Sequence, residues 1–160
     1  MRVAVTGGTG FIGRELVHLL AEAGHTQHLW HRAGSNRDEL PGDGPGIDWI
    51  EGELGVADDA AELVRGCDAV IHAGLWRPGE GFRGAEGDVV EFCRVNPLGS
   101  LQLIEAARAA NVDRFIFVSP CAVHEVILED RALDEAHPLW PLTHYGAHKA
   151  AIEKFIHSYG

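Results

Sequence analysis

Apolar positions along this chain follow two rhythms. Short, nearly continuous apolar runs at residues 3–6 (VAVT), 27–31 (QHLWH), 47–51 (IDWIE), 69–72 (AVIH) and 114–119 (RFIFVS) predict five β-strands. Between them apolar residues recur at helical spacing, which predicts helices over 11–23, 58–65, 89–110 and 143–158. In the first helix, for example, Leu16, Leu19, Leu20 and Ala23 share one face. Runs such as AVIH lack the apolar–polar alternation of a half-wet strand and read as parallel strands covered on both faces. Strand–helix alternation then predicts an α/β domain over residues 1–160, a doubly wound parallel sheet with right-handed crossovers. Two loops stand out. Residues 34–46 are polar and rich in Gly and Pro, and residues 74–88 carry five glycines where the chain leaves a central strand. Ligands bind at such strand ends, so the second loop reads either as a mobile substrate loop or as plain surface.

Composition narrows the partners. With 160 residues, 46% apolar and 23% charged, the chain can bury a real core and matches a soluble globular domain. No apolar run reaches the length of a membrane span, and no signal peptide precedes the first strand, so the expected location is cytoplasmic. A formal charge of −11 argues against nucleic acid, since a phosphate polymer would be repelled. Cys67, Cys93 and Cys121 form no CxxC pair and suggest neither a disulfide framework nor zinc. His144 and His148 have the i, i+4 spacing of a chelating pair, but no HExxH glutamate or third ligand accompanies them, and no metal site is expected.

Candidate chemistry concentrates at VAVTGGTGFIG, residues 3–13. A strand runs straight into Gly7, Gly10 and Gly13, and a helix starts near Phe11. The first glycine permits a tight turn, the second lets backbone approach a pyrophosphate, and the third lets the helix pack hard against its strand. The N–H groups of the first helical turn, around Phe11 and Ile12, would face the phosphates. This is the context that makes a glycine triplet a Rossmann-type dinucleotide site. NAD-binding units usually end their second strand in a carboxylate that binds the adenosine ribose. Here His31 occupies that place and Arg32 follows. An arginine can pair with the extra phosphate of NADP, which a carboxylate would repel, so NADP is preferred over NAD. Ser35, Asn36 and Arg37 are further donors in the adjoining loop.

Four motifs in order then resemble the extended short-chain dehydrogenase/reductase superfamily, in its NAD-dependent epimerase/dehydratase branch. TGGTGFIG resembles the opening motif, and EGELGVADDAAELVRGCDAVIHAG the stretch around the third and fourth strands, with Glu53 where an aspartate is usual. VNPLGSLQLIEAARAANVDRFIFVSP resembles the long helix and fifth strand, with Asn96 at the family's structural asparagine, and HYGAHKAA supplies a Tyr-x-x-x-Lys pair as Tyr145 and Lys149. The resemblance implies a cofactor site built from Gly7, Gly10, Phe11, Ile12, Gly13, Glu53, Leu54, Ala73, Gly74, Asn96, Tyr145 and Lys149, with Arg32 added from its place after the second strand. It also implies a hydroxyl- or carbonyl-bearing small-molecule substrate such as a nucleotide sugar, and a homodimer through the long helices.

Tyr145 and Lys149 stand four apart on a helix and share a face. A phenol titrates near ~10, too high for a base at neutral pH. An adjacent ammonium and a positively charged nicotinamide both favour the phenolate and bring its pKa nearer working pH. Two departures weaken the likeness. Where the family carries a Ser or Thr after the fifth strand, this chain has Pro120, leaving Ser119 as the candidate hydroxyl; His124 replaces the usual Tyr of that motif. The chain also stops at Gly160, ahead of the family's substrate-binding region, so it is expected to be truncated before that region and to leave its fifth strand an exposed edge. The alternative to an enzyme is a non-catalytic dinucleotide-binding module.

Overall fold

The computed structural model describes residues 1–79 and 86–160. The middle of the glycine-rich loop, residues 80–85, lies outside the described residues. Elements follow in the order β1 (Arg2–Thr6), α1 (Phe11–Glu22), β2 (Thr26–His31), β3 (Ile47–Glu51), α2 (Ala57–Val64), β4 (Ala69–His72), α3 (Val89–Cys93), α4 (Gly99–Ala109), β5 (Arg114–Phe117) and α5 (His144–Tyr159). A π-helical turn (Arg94–Leu98) joins α3 to α4, and a 3-10 turn (Cys121–His124) follows β5.

The five strands form one parallel sheet in the order β3-β2-β1-β4-β5. Side chains on β1 alternate between two cores, as the period of a strand requires. Val3 and Val5 pack with Val17, Leu29 and Ala69 on the α1 side. Ala4 joins Trp30, Leu63, Val64, Val70 and Leu103 on the side of α2 and α4. Strands running outward from β1 in both directions make the β1/β4 boundary the topological switch point, where open α/β sheets place their ligands.

Two expected elements differ. The single helix over 89–110 is α3, a π-turn and α4, with Pro97 inside the π-turn. Proline has no N–H to donate and its ring crowds the carbonyl four residues back, so the regular ladder is interrupted there. The last strand ends at Phe117 rather than 119, with one further ladder-like bond from Val118 N–H to the His72 carbonyl. Among the described residues β5 pairs only with β4, and Ile116 on this sheet edge is exposed. Among the described residues, no helix is long and apolar enough to cross a membrane.

Candidate functional site

At the switch point the chain encloses a cleft of about 550 Å³. The turn after β1 forms its floor. Gly7 sits at φ +76, and a Cβ there would lie 2.8 Å from the Ala73 carbonyl and Gly74 nitrogen. This is a conformation and an approach that only glycine permits. A Cβ on Gly13 would collide with the Gly7 carbonyl, so the third glycine lets α1 close down on the turn, as its spacing predicts. Gly10 caps α1 without a side-chain bond, and the first turn carries no acidic residue. Phe11 and Ile12 are exposed beside it. The positive end of α1 therefore faces the cleft without a compensating charge from its own first turn, the arrangement that takes a phosphate.

Eleven of the sequence-predicted residues line this cleft: Gly7, Gly10, Phe11, Ile12, Gly13, Arg32, Glu53, Leu54, Ala73, Gly74 and Tyr145. Arg32 stands at the end of β2 with Ser35, whose hydroxyl accepts from the Arg32 backbone N–H at 3.1 Å. Asn36 and Arg37 are used elsewhere. The Asn36 carbonyl, with that of Asp38, receives the Arg14 guanidinium at 2.6 Å each, and Arg37 pairs with Asp43 and lies over the Trp49 ring.

Three predicted residues stand outside the lining. Asn96 is buried, and its amide is fully used on backbone: Oδ1 accepts from Trp76 N–H at 2.8 Å, and Nδ2 donates to the carbonyls of Trp76 at 3.0 Å and Phe92 at 3.1 Å. It clamps the loop leaving β4 onto the π-turn. Ser119 is exposed, and its hydroxyl is bonded to the Glu153 carboxylate on α5 rather than aimed at the cleft. Lys149 is buried, donates to the Val118 carbonyl at 3.1 Å and lies 4.3 Å from the centre of the Phe117 ring. Burial lowers its pKa to about 8.

Tyr145 reaches the cleft from the start of α5, which the surrounding chain holds firmly. Thr143 caps α5 through Gly146 N–H. The Glu125 carboxylate accepts from Leu142 N–H, Thr143 N–H and the Thr143 hydroxyl at 2.6, 2.9 and 3.1 Å. Just beyond Glu125, Val126 N–H donates to the Trp140 carbonyl and closes the intervening loop. Burial raises the Tyr145 phenol above its ordinary value, and the Arg77 charge pulls it back.

Sequence reasoning missed the support beneath the cleft. Thr6 Oγ1 accepts from Gly74 N–H at 2.9 Å and bonds His72 Nδ1 at 2.6 Å, while His72 Nε2 meets Ser100 Oγ at 2.8 Å. Burial, then the Lys149 charge, lowers the His72 pKa to about 3, so this imidazole stays neutral. Trp76 and Arg77 also line the cleft, and their unpatterned loop gave no periodic signal for them. Among the described residues no group of three metal-ligating side chains occurs, and His148 stacks on Phe92 with ring centres 4.8 Å apart.

The sequence profile of the NAD dependent epimerase/dehydratase family matches residues 3–160. The chain is 34% identical over 170 residues to the UDP-glucose 4-epimerase of Mus musculus, covering 97% of this chain and 48% of that protein. It is 32% identical over 161 residues to the 4-hydroxy-2-methyl-3-oxo-4-farnesyl-3,4-dihydroquinoline-1-oxide ketoreductase of Stigmatella aurantiaca, covering 98% of this chain and 45% of the other. The crystal structure of the Thermus thermophilus UDP-glucose 4-epimerase in complex with NAD superposes with a TM-score of 0.80 at 29% identity, over 100% of this chain and 51% of that one. The chain spans about half the length of the curated relatives it matches.

Proposed function

Because the chain belongs to the NAD-dependent epimerase/dehydratase family, we propose that it is the dinucleotide-binding and proton-transferring part of an oxidoreductase. Its substrate would be a hydroxyl- or carbonyl-bearing small molecule, and nucleotide sugars are the class named for several of its relatives. The observation that carries this reading is the uncapped N-terminus of α1 opening into the same cleft that receives Tyr145.

The residues present suit a nicotinamide dinucleotide. The α1 terminus and the Gly7–Gly10 turn hold its phosphates, and Glu53 and Leu54 flank its adenosine end. Arg32 and Ser35 receive a ribose phosphate, which favours NADP over NAD. When bound, the cofactor supplies the hydride acceptor or donor. Tyr145 exchanges the accompanying proton at its phenolic oxygen, and Lys149, four residues on in the same helix, holds the chain after β5 through the Val118 carbonyl. Asn96 positions the cleft wall.

Titration with NADPH and NADH, followed by cofactor fluorescence, tests the reading. Binding with NADPH preferred, lost in Gly10→Val, is the expected result. Preference for NADH refutes the role of Arg32, and binding of neither refutes the cofactor site. A second reading, a cofactor-binding module without catalysis, is favoured by the Ser119 hydroxyl being tied to Glu153 and by Pro120 beside it. Pro120→Ser separates the two. Raised reductase turnover supports the enzyme; no turnover in either form, with cofactor bound, supports the module.

A further inference from the structure

Arg14 stands in the first turn of α1 but does not itself line the cleft. Its guanidinium donates to three backbone carbonyls on two separate segments. One is Thr9 in the glycine turn, at 3.2 Å; the others are Asn36 and Asp38 in the loop after β2, at 2.6 Å each. Thr9 and Gly10 line the cleft at the turn, and Arg32 and Ser35 line it where that loop begins. We propose that Arg14 is a positioning residue that sets the choice between NADP and NAD. It fastens the loop to the glycine turn and so holds Arg32 and Ser35 at a fixed separation from the groups that receive the pyrophosphate. This inference rests on the proposed roles of the α1 terminus and Arg32.

Three observations support the assignment. The near part of the loop is not held by burial: residues 36–39 are exposed, and the surface pair of Arg37 with Asp43, at 3.8 Å, contributes little. The stretch from Arg32 to Asp38 is internally bonded, so a tether at its far end reaches its start. Asp38 N–H donates to Asn36 Oδ1 at 2.6 Å, Ser35 N–H to the Arg32 carbonyl at 3.0 Å, and Arg32 N–H to Ser35 Oγ at 3.1 Å. The other side of the tether is rigid, because α1 is packed down on the glycine turn through Gly13, the residue before Arg14. NADP carries its pyrophosphate and its extra phosphate on the 5′ and 2′ carbons of one ribose. The groups that receive them must therefore keep a fixed separation, and receivers already in place lose less freedom on binding. A guanidinium suits the task, since its planar fork meets acceptors on two segments at once and bonds donated by a cation are strong. NADH has no 2′-phosphate and makes no such demand.

Cofactor preference tests this without any need for turnover. Dissociation constants for NADPH and NADH are measured by cofactor fluorescence on the wild type, Arg14→Met, Arg14→Lys, Arg32→Gln and the double variant Arg14→Met with Arg32→Gln. In Arg14→Met, NADPH should bind roughly tenfold more weakly, the scale of one charge-assisted bond, while NADH changes by less than about threefold. Arg14→Lys keeps the charge without the fork; it should lose part of the preference, and it carries the test if Arg14→Met does not fold. In the Arg32→Gln background, Arg14→Met should change the ratio of the two constants no further, because the guanidinium that the tether places is gone. Trypsin should also cut after Arg32 and Arg37 faster in Arg14→Met than in the wild type, at a temperature where both are folded. Equal losses for NADPH and NADH, a preference that survives Arg14→Met, an effect that persists without Arg32, or unchanged cleavage overturns the role of Arg14 and leaves the cofactor reading in place. A wild type that prefers NADH, or binds neither cofactor, overturns the reading of Arg32 and the role of Arg14 with it.

Discussion

Replacing Asn96 by leucine removes the clamp between the β4 loop and the π-turn while keeping the number of side-chain heavy atoms and the branching at Cγ. Three hydrogen bonds disappear, to Trp76 N–H, the Trp76 carbonyl and the Phe92 carbonyl. A neutral hydrogen bond contributes about 1 kcal/mol net, and a buried partner left unsatisfied costs about 1–3 kcal/mol. Trp76 is only partly buried, so water can satisfy some of what it loses. The expected destabilisation is therefore about 2–3 kcal/mol. At about 2–4 °C per kcal/mol for a chain of this size, the melting temperature should fall by roughly 4–12 °C. Urea unfolding should report the same loss through its midpoint with an unchanged slope. Asn96→Asp keeps the acceptor for Trp76 N–H but turns a charge toward two carbonyls, so it should cost at least as much. A loss below about 0.5 kcal/mol in Asn96→Leu would refute the clamp, because that is the level of an unremarkable surface change.

Two further expectations follow from the same geometry. His72 is held neutral in the fold with its pKa lowered to about 3, against an ordinary 6.5. The unfolded chain thus binds a proton that the folded chain refuses, and stability must fall as pH drops from about 6.5 toward about 3. Unfolding free energies of the wild type and His72→Asn should diverge between about pH 7 and about pH 5, the wild type losing up to about 2 kcal/mol more; parallel curves would refute the neutral imidazole. Thr143→Ala removes the side-chain cap of α5 and should cost about 1 kcal/mol in urea unfolding, with Thr143→Ser restoring most of it, whereas a loss in both variants alike would show that the hydroxyl is not the capping group.

The sheet was legible because each strand is a short apolar run, and the glycine turn because its three glycines bracket a strand end and a helix start. The break between α3 and α4 was written in Pro97, but apolar spacing continues across it, so a periodic reading runs straight through. The Thr6–His72–Ser100 chain joins residues 66 and 28 positions apart, a distance over which local patterning carries no information. Tyr145 and Lys149 are legible as a pair, yet only the packing shows that the buried lysine donates to the Val118 carbonyl, 31 residues away. The Glu153 carboxylate beside Ser119 comes from 34 residues further along the chain, which no local pattern marks.

The Glu125 clasp has a consequence for how this scaffold can vary. The carboxylate ties the near side of the 126–140 loop to the residues that begin α5, and Val126 and Trp140 close the loop's neck just beyond it. Length or sequence changes among the exposed residues 127–136 are therefore isolated mechanically from the helix that carries Tyr145. Loops from other chains could be grafted in place of 127–136, short of the buried His137, while the phenol keeps its address. The clasp makes the exposed stretch 127–136 an interchangeable part, and selection or design can rework it without rebuilding the residues that line the cleft.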